Sequence, residues 1–290
     1  MNQRIFLGEQ TVHRVLLMVT VGVVLCVSPA YGQAKRRGEV EYQHRQEPLA
    51  PMGEADAQGF YDFVTRDVEL DWSYPNGNCH ARAEAVRLIL EAGGGKTSKV
   101  WLFSESKLAP FQAASELRLR GKPASYPSWG YHVATMVGGR TTGSPRVLDA
   151  LVSDHPIPLK DWLARFDCNN CVWFTTKSNV YNFNNSGAVA TGTFYRCDGD
   201  NCMSQHWLEE DLAVLDVAAH ITKQGTHADL VSRISNIEDC FKQSLGNACK
   251  FPDAKTTYAP FYEKRLEHWK SYIARVRAAQ AARITGASAD

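Results

Sequence analysis

The stretch Asn78-Cys79-His80-Ala81-Arg82-Ala83-Glu84-Ala85-Val86-Arg87-Leu88-Ile89-Leu90-Glu91-Ala92-Gly93 decides how this chain folds. Cys79, Ala83, Val86 and Leu90 recur at helical spacing and make one apolar stripe. His80, Glu84, Arg87 and Glu91 make the opposite, polar stripe. Asn78 suits a helix N-cap, and Gly93-Gly94-Gly95 stops the helix. The pattern predicts a helix over Cys79–Ala92 with a cysteine in its first turn. That end of a helix carries partial positive charge, which favours thiolate over thiol. Its unpaired N–H groups can hold an oxyanion. Cys79 is therefore either a buried core residue or a nucleophile, and a partner base decides between them.

Working outward, the base lies on a hairpin. Tyr131–Val137 and Ser144–Ala150 read as strands joined by the loop Gly138–Gly143. Symmetric pairing about that loop sets His132 directly opposite Asp149, with Cβ atoms roughly 4.5–5.5 Å apart. A carboxylate that orients an imidazole is the base half of a nucleophilic triad. Ala134, Met136, Val147 and Leu151 share the same face, which is expected to pack on the Cys79 helix. A slip of one residue would part the pair. Asp154, beside His155, is a second candidate acid.

Two blocks of sequence carry a resemblance. One is Tyr74-Pro75-Asn76-Gly77-Asn78-Cys79-His80-Ala81-Arg82-Ala83. The other is Trp129-Gly130-Tyr131-His132-Val133-Ala134, followed by Arg146-Val147-Leu148-Asp149. Together they resemble the bacterial secreted protein-glutaminases over roughly residues 72–175, with Trp162 and Cys168-x-x-Cys171 as a further echo. The resemblance implies an α+β, papain/transglutaminase-like core, a Cys-bearing helix packed on an antiparallel sheet. It implies Cys79 as nucleophile, His132 as base and Asp149 as its orienter. Trp129 and Tyr131, with the Cys79 backbone, are the oxyanion or substrate-site candidates. The implied reaction deamidates protein-bound glutamine to glutamate through a γ-glutamyl thioester. His132 takes the thiol proton, protonates the departing ammonia and activates water. No metal or organic cofactor is implied, and the partners are proteins or peptides with exposed glutamine. The sequence departs from the family pattern at Ala150, in a longer loop before Trp129, in a short N-terminal segment and in its helical tail.

The rest of the chain sets the context. It has 290 residues, a formal net charge of +1, 44% hydrophobic and 22% charged residues. Those values suit a globular protein, and near-neutrality argues against nucleic acid as the main partner. Residues 1–32 read as a signal peptide, with Arg4 and Arg14 before the apolar run Val15–Val27 and Ala30-Tyr31-Gly32 before the cut. The run is shorter than the roughly 20 residues a spanning helix needs, so no transmembrane anchor is expected after cleavage. The protein is read as a secreted or periplasmic monomer. Residues 33–57 read as a linker or short pro-segment, 58–205 as the catalytic domain and 206–290 as a helical C-terminal region. In an oxidising compartment Cys168/Cys171, Cys197/Cys202 and Cys240/Cys249 are disulfide candidates, which leaves Cys79 free. A zinc site on Cys168, Cys171, Cys197 and Cys202 is the competing use of four of these thiols. Competing functions are a transglutaminase, a cysteine peptidase and a non-catalytic secreted binding module.

Overall fold

The computed structural model describes Leu49 and residues 51–104, 116–139, 145–168, 171–183, 194–196 and 205–286. The signal segment 1–32, Cys197 and Cys202 lie outside the described residues. β1 (Pro51–Met52) and α1 (Glu54–Arg66) open the chain. The helix thus begins within the stretch read as linker, and it buries Ala57, Tyr61 and Val64. α2 (Cys79–Ala92) matches the expected helix residue for residue. Then come β2 (Ser98–Phe103), β3 (Arg118–Leu119), β4 (Tyr131–Gly139), β5 (Arg146–Leu148) and β6 (Ile157–Pro158). A short α3 (Leu159–Leu163) precedes β7 (Phe166–Asp167), β8 (Val172–Lys177), β9 (Val180–Phe183) and β10 (Phe194–Arg196). From there the chain is helical: α4 (Gln205–Gln224), α5 (Ala228–Val231), α6 (Ile234–Phe241) and α7 (Pro252–Gly286). The class is α+β, with the Cys-bearing helix against an antiparallel sheet, as expected.

The sheet runs β6-β5-β4-β2-β8, all antiparallel along this path, and β1 adds to β4 in parallel. α2 lies on one sheet face, where Ala83 meets Trp101, Phe103 and Val133. The small side chain at Ala83 lets the helix come close enough for Thr135 Oγ1 to donate to the Ala83 carbonyl at 2.6 Å. The other sides of α2 bury Ala81, Ala85, Val86 and Leu90 with Leu212, Leu215 and Trp269 of the C-terminal helices. α2 is thus the middle layer, which is why its polar stripe is buried too. Glu84 there binds Arg87 at 2.5 Å and Lys99 Nζ at 2.5 Å, so no charge is buried alone. α4 is buried almost all round from Leu208 to Ala219, as a central helix must be, and its buried carboxylates Asp211 and Asp216 are paired with Lys242 and Arg265.

Two expectations about the hairpin are corrected. The pairs are Thr135↔Leu148, Met136↔Val147 and Val137↔Arg146, two residues away from symmetric pairing. This register sets Met136 opposite Val147, itself paired to Ile157, within one apolar cluster, and Gly138 and Gly139 pair with Pro51 and Met52 of β1. An even shift keeps every side chain on its expected face. The face bearing Ala134, Met136 and Val147, however, does not meet α2. It packs on Leu102, Trp129, Ile157, Trp162 and Phe166, because the segment after β5 folds back with three large aromatic or branched side chains to cover it.

Arg82 explains the arginine of the first motif. It is 1% exposed and donates to three carbonyls of the loop entering α2: Asp71 at 2.9 Å, Gly77 at 3.1 Å and Tyr74 at 2.5 Å. Arg82→Met leaves those acceptors dry and unpaired. The expected loss is about 3 kcal/mol, a melting point lower by roughly 10 °C. A drop below about 2 °C in a thermal melt would show that the loop holds its shape without the guanidinium.

Candidate active site

The chain enters α2 through two left-handed residues. Gly77 has φ 149°, and a Cβ there would sit 2.8 Å from Ile234 Cγ2, so only glycine lets α6 approach. Asn78 has φ 50°, a conformation asparagine tolerates. Its side chain does not cap the helix; Nδ2 reaches the Asp211 carbonyl at 3.4 Å instead. The cap is made by the Asn78 carbonyl, which accepts from Ala81 and Arg82 N–H. The N–H groups at the start of the turn are left pointing out of the helix end. Cys79 is a free, partly exposed thiol at this point. It opens into a cleft of about 510 Å³, lined also by His80, Trp129, Tyr131, Trp207 and Asp211.

His132 and Asp149 meet despite the shifted register. β5 stops at Leu148, so Asp149 lies past the strand end and its carboxylate turns toward His132. His132 Nε2 is 2.8 Å from Asp149 Oδ2. Trp162 Nε1 donates to the same oxygen at 2.8 Å, and Leu151 N–H donates to Oδ1 at 3.2 Å. The imidazole is stacked between two indoles, Trp129 at 5.3 Å and Trp162 at 5.8 Å between ring centroids. Trp129 is fixed in turn by its Nε1–H bond to the Pro75 carbonyl at 2.8 Å. His132 Nδ1 is buried and makes no aligned hydrogen bond within the protein, so it is the nitrogen left for proton exchange. Cys79, His132 and Asp149 share the lining of a small cavity behind the cleft. The alternative acid, Asp154, is exposed and pairs with His155 at 2.6 Å. Tyr131 lines the cleft and donates to Asn182 Oδ1 at 2.9 Å.

The electrostatics favour an ion pair. Desolvation pushes the Cys79 thiol up, but the nearby His132 and His80 imidazoles favour the thiolate, outweigh it and bring the pKa to about 6. Desolvation works against protonated His132, yet the Asp149 charge and hydrogen bond raise its pKa to about 10. At neutral pH the pair is thiolate and imidazolium. Iodoacetamide should therefore label Cys79 rapidly down to about pH 6 and lose rate below it, as the thiolate takes up a proton. Cys79 should be the sole labelled thiol in the unreduced protein. A labelling profile centred near the ordinary thiol value of about 8.5 would show that the imidazoles do not hold the thiolate.

The sequence did not reveal a second pair. His80 Nε2 is 3.1 Å from Asp211 Oδ2, which also accepts from Tyr181 Oη–H at 2.5 Å. Lys242 Nζ reaches Asp211 Oδ1 at 2.5 Å. Spacing alone puts His80 on the polar stripe of α2, and Asp211 lies in the C-terminal helical region, far from it in sequence. The available signal is Asp211 in the otherwise apolar register Leu208, Leu212 and Leu215 of a helix. The disulfides Cys168–Cys171 and Cys240–Cys249 pair as neighbours.

The comparisons address the site as a whole. Residues 57–166 match the protein family described as Glutaminase. The chain resembles the protein-glutaminases. The protein-glutaminase-like segment contains Cys79, His132, Asp149 and Trp162, and it ends before α4. The NMR structure of protein-glutaminase from Chryseobacterium proteolyticum is 18% identical with a TM-score of 0.43, over 59% of this chain and 89% of that one. A crystal structure of protein-glutaminase gives 18% and 0.42, over 60% and 91%. One of pro-protein-glutaminase gives 18% and 0.43, over 63% of each chain. No curated protein matches the chain.

Proposed function

We propose that this protein is an exported protein-glutamine deamidase that works through a γ-glutamyl thioester on Cys79. The observation that carries the reading is the free Cys79 thiol at the start of α2, with an Asp149-held imidazole beside it, inside the glutaminase-like segment. The Cys79 thiolate attacks the side-chain amide carbon of a glutamine admitted through the cleft. The N–H groups at the start of α2 face the developing oxyanion. The tetrahedral intermediate collapses with a proton delivered to nitrogen, and ammonia leaves. Neutral imidazole then draws a proton from water. The hydroxide attacks the thioester, the C–S bond breaks, and glutamate and the thiolate are released.

Export fits the disulfides found in the described residues, since such bonds persist in oxidising compartments. Among the described residues no helix is long and apolar enough to cross a membrane. Cleavage after Gly32 predicts a mature protein that starts at Gln33, which N-terminal sequencing of exported protein checks.

The test of function is ammonia release from a glutamine-containing peptide, with mass spectrometry of the product. A gain of about one mass unit per glutamine supports deamidation. Peptide joined to lysine would make the enzyme an acyl transferase to amines. Cleavage of the main chain would make it a peptidase.

A further inference from the structure

Cys79 lines two cavities, and each holds one imidazole. His132 reaches the thiol from the small cavity behind the cleft, where Asp149 and Trp162 lock it. His80 lines the open cleft beside Cys79, with Trp129, Trp207 and Asp211. A glutamine side chain that enters through the cleft meets Cys79 on the side lined by His80.

His80 is held as firmly as His132. Asp211 binds its Nε2 at 3.1 Å, which leaves Nδ1 as the remaining ring nitrogen. Tyr181 packs its ring edge-on against the imidazole at 5.1 Å and donates to the same aspartate. Lys242 and the Asn78 amide fix Asp211 from its other sides. Such an arrangement orients an imidazole and stabilises its protonated form. His80 is indeed raised to about 9, because hydrogen bonds to Asp211 and Cys79 overcome its desolvation.

We propose that His80, oriented by Asp211 of the C-terminal helices, is a second catalytic histidine that delivers the proton to the departing ammonia. The inference rests on the deamidase reading. In the step, the Sγ–carbon bond has formed and the oxyanion carries the negative charge. As the carbonyl reforms, the C–N bond breaks, and His80 gives its proton to the amide nitrogen. Neutral ammonia leaves and His80 is neutral. It regains a proton from the water that hydrolyses the thioester. His132, on its own side of Cys79, helps to keep the thiol ionised and remains there when His80 is replaced.

A leaving group that needs no proton separates the two tasks. The experiment compares a glutamine peptide with a γ-(4-nitrophenyl) ester of an N-protected glutamate, in wild type, His80→Gln and His132→Gln. His80→Gln should slow ammonia release by about 100-fold or more, the usual worth of general acid catalysis. Its pre-steady-state burst of nitrophenolate should fall far less than its ammonia release, because His132 still holds the thiolate. His132→Gln should lose both. Circular dichroism and a thermal melt establish that each variant is folded. Asp211→Asn should reproduce the selective loss in weaker form. Equal losses on amide and ester in folded His80→Gln, or no loss on the amide, would overturn the assignment. Absence of ammonia release in the wild type itself would overturn the deamidase reading instead.

Discussion

Cys79→Ala is expected to abolish ammonia release, by about 10⁴-fold or more, while leaving the melting point near that of the parent. The magnitude follows from the role. Removing the nucleophile of a concerted set leaves only binding and oxyanion stabilisation. The small stability change follows from position. Cys79 is partly exposed at a helix start, and its loss opens no large cavity in a packed interior. The measurement is a coupled ammonia assay beside a thermal melt. Activity within tenfold of wild type would remove Cys79 from the chemistry. Cys79→Ser is the stricter variant, since it keeps the shape and loses the acidity. It should be nearly as inactive, because neither imidazole can ionise a hydroxyl as it does a thiol.

Asp149→Asn is expected to lower kcat/KM by about 10³- to 10⁴-fold, the scale seen when a triad carboxylate becomes an amide. The carboxylate accepts from His132 Nε2, Trp162 Nε1 and Leu151 N–H. An amide cannot accept everywhere: its NH₂ must face at least one of those donors. His132 then loses the charge that raises its pKa, so the imidazolium gives way at lower pH. With a weaker cation beside it, the Cys79 thiol rises. The acid limb of iodoacetamide labelling should therefore move up from about pH 6, and the acid limb of turnover with it. A shifted limb is specific to this role. A fold defect would lower the plateau and leave the limbs in place. Unchanged limbs together with normal turnover would show that His132 does not depend on Asp149.

Much of this site was legible in local pattern. The helix over Cys79–Ala92 follows from spacing and its glycine stop. The alternation around His132 gave the strand, and the side-chain parity survived a register error because the shift was even. β1 is a further pairing that local pattern does not reveal. Two residues far upstream pair with Gly138 and Gly139, and no local signal announces such a parallel contact. The face against α2 was misread for a related reason. Alternation says which side chains share a face but not which neighbour covers it. Trp162 and Phe166, downstream of the hairpin, claimed the face bearing His132. His80 escaped notice because its aspartate lies 131 residues away along the chain.

That separation has a temporal meaning. The carboxylate that steadies His80 is on α4, and the lysine that steadies the carboxylate follows α6. A ribosome that has made the whole sheet has still not made either. Contacts between distant parts of a chain form late, after the loop between them has closed. A growing chain therefore carries the nucleophile and its first base long before the cleft is finished. On the deamidase reading, completing the cleft last delays full activity on the maker's own proteins until synthesis is nearly over.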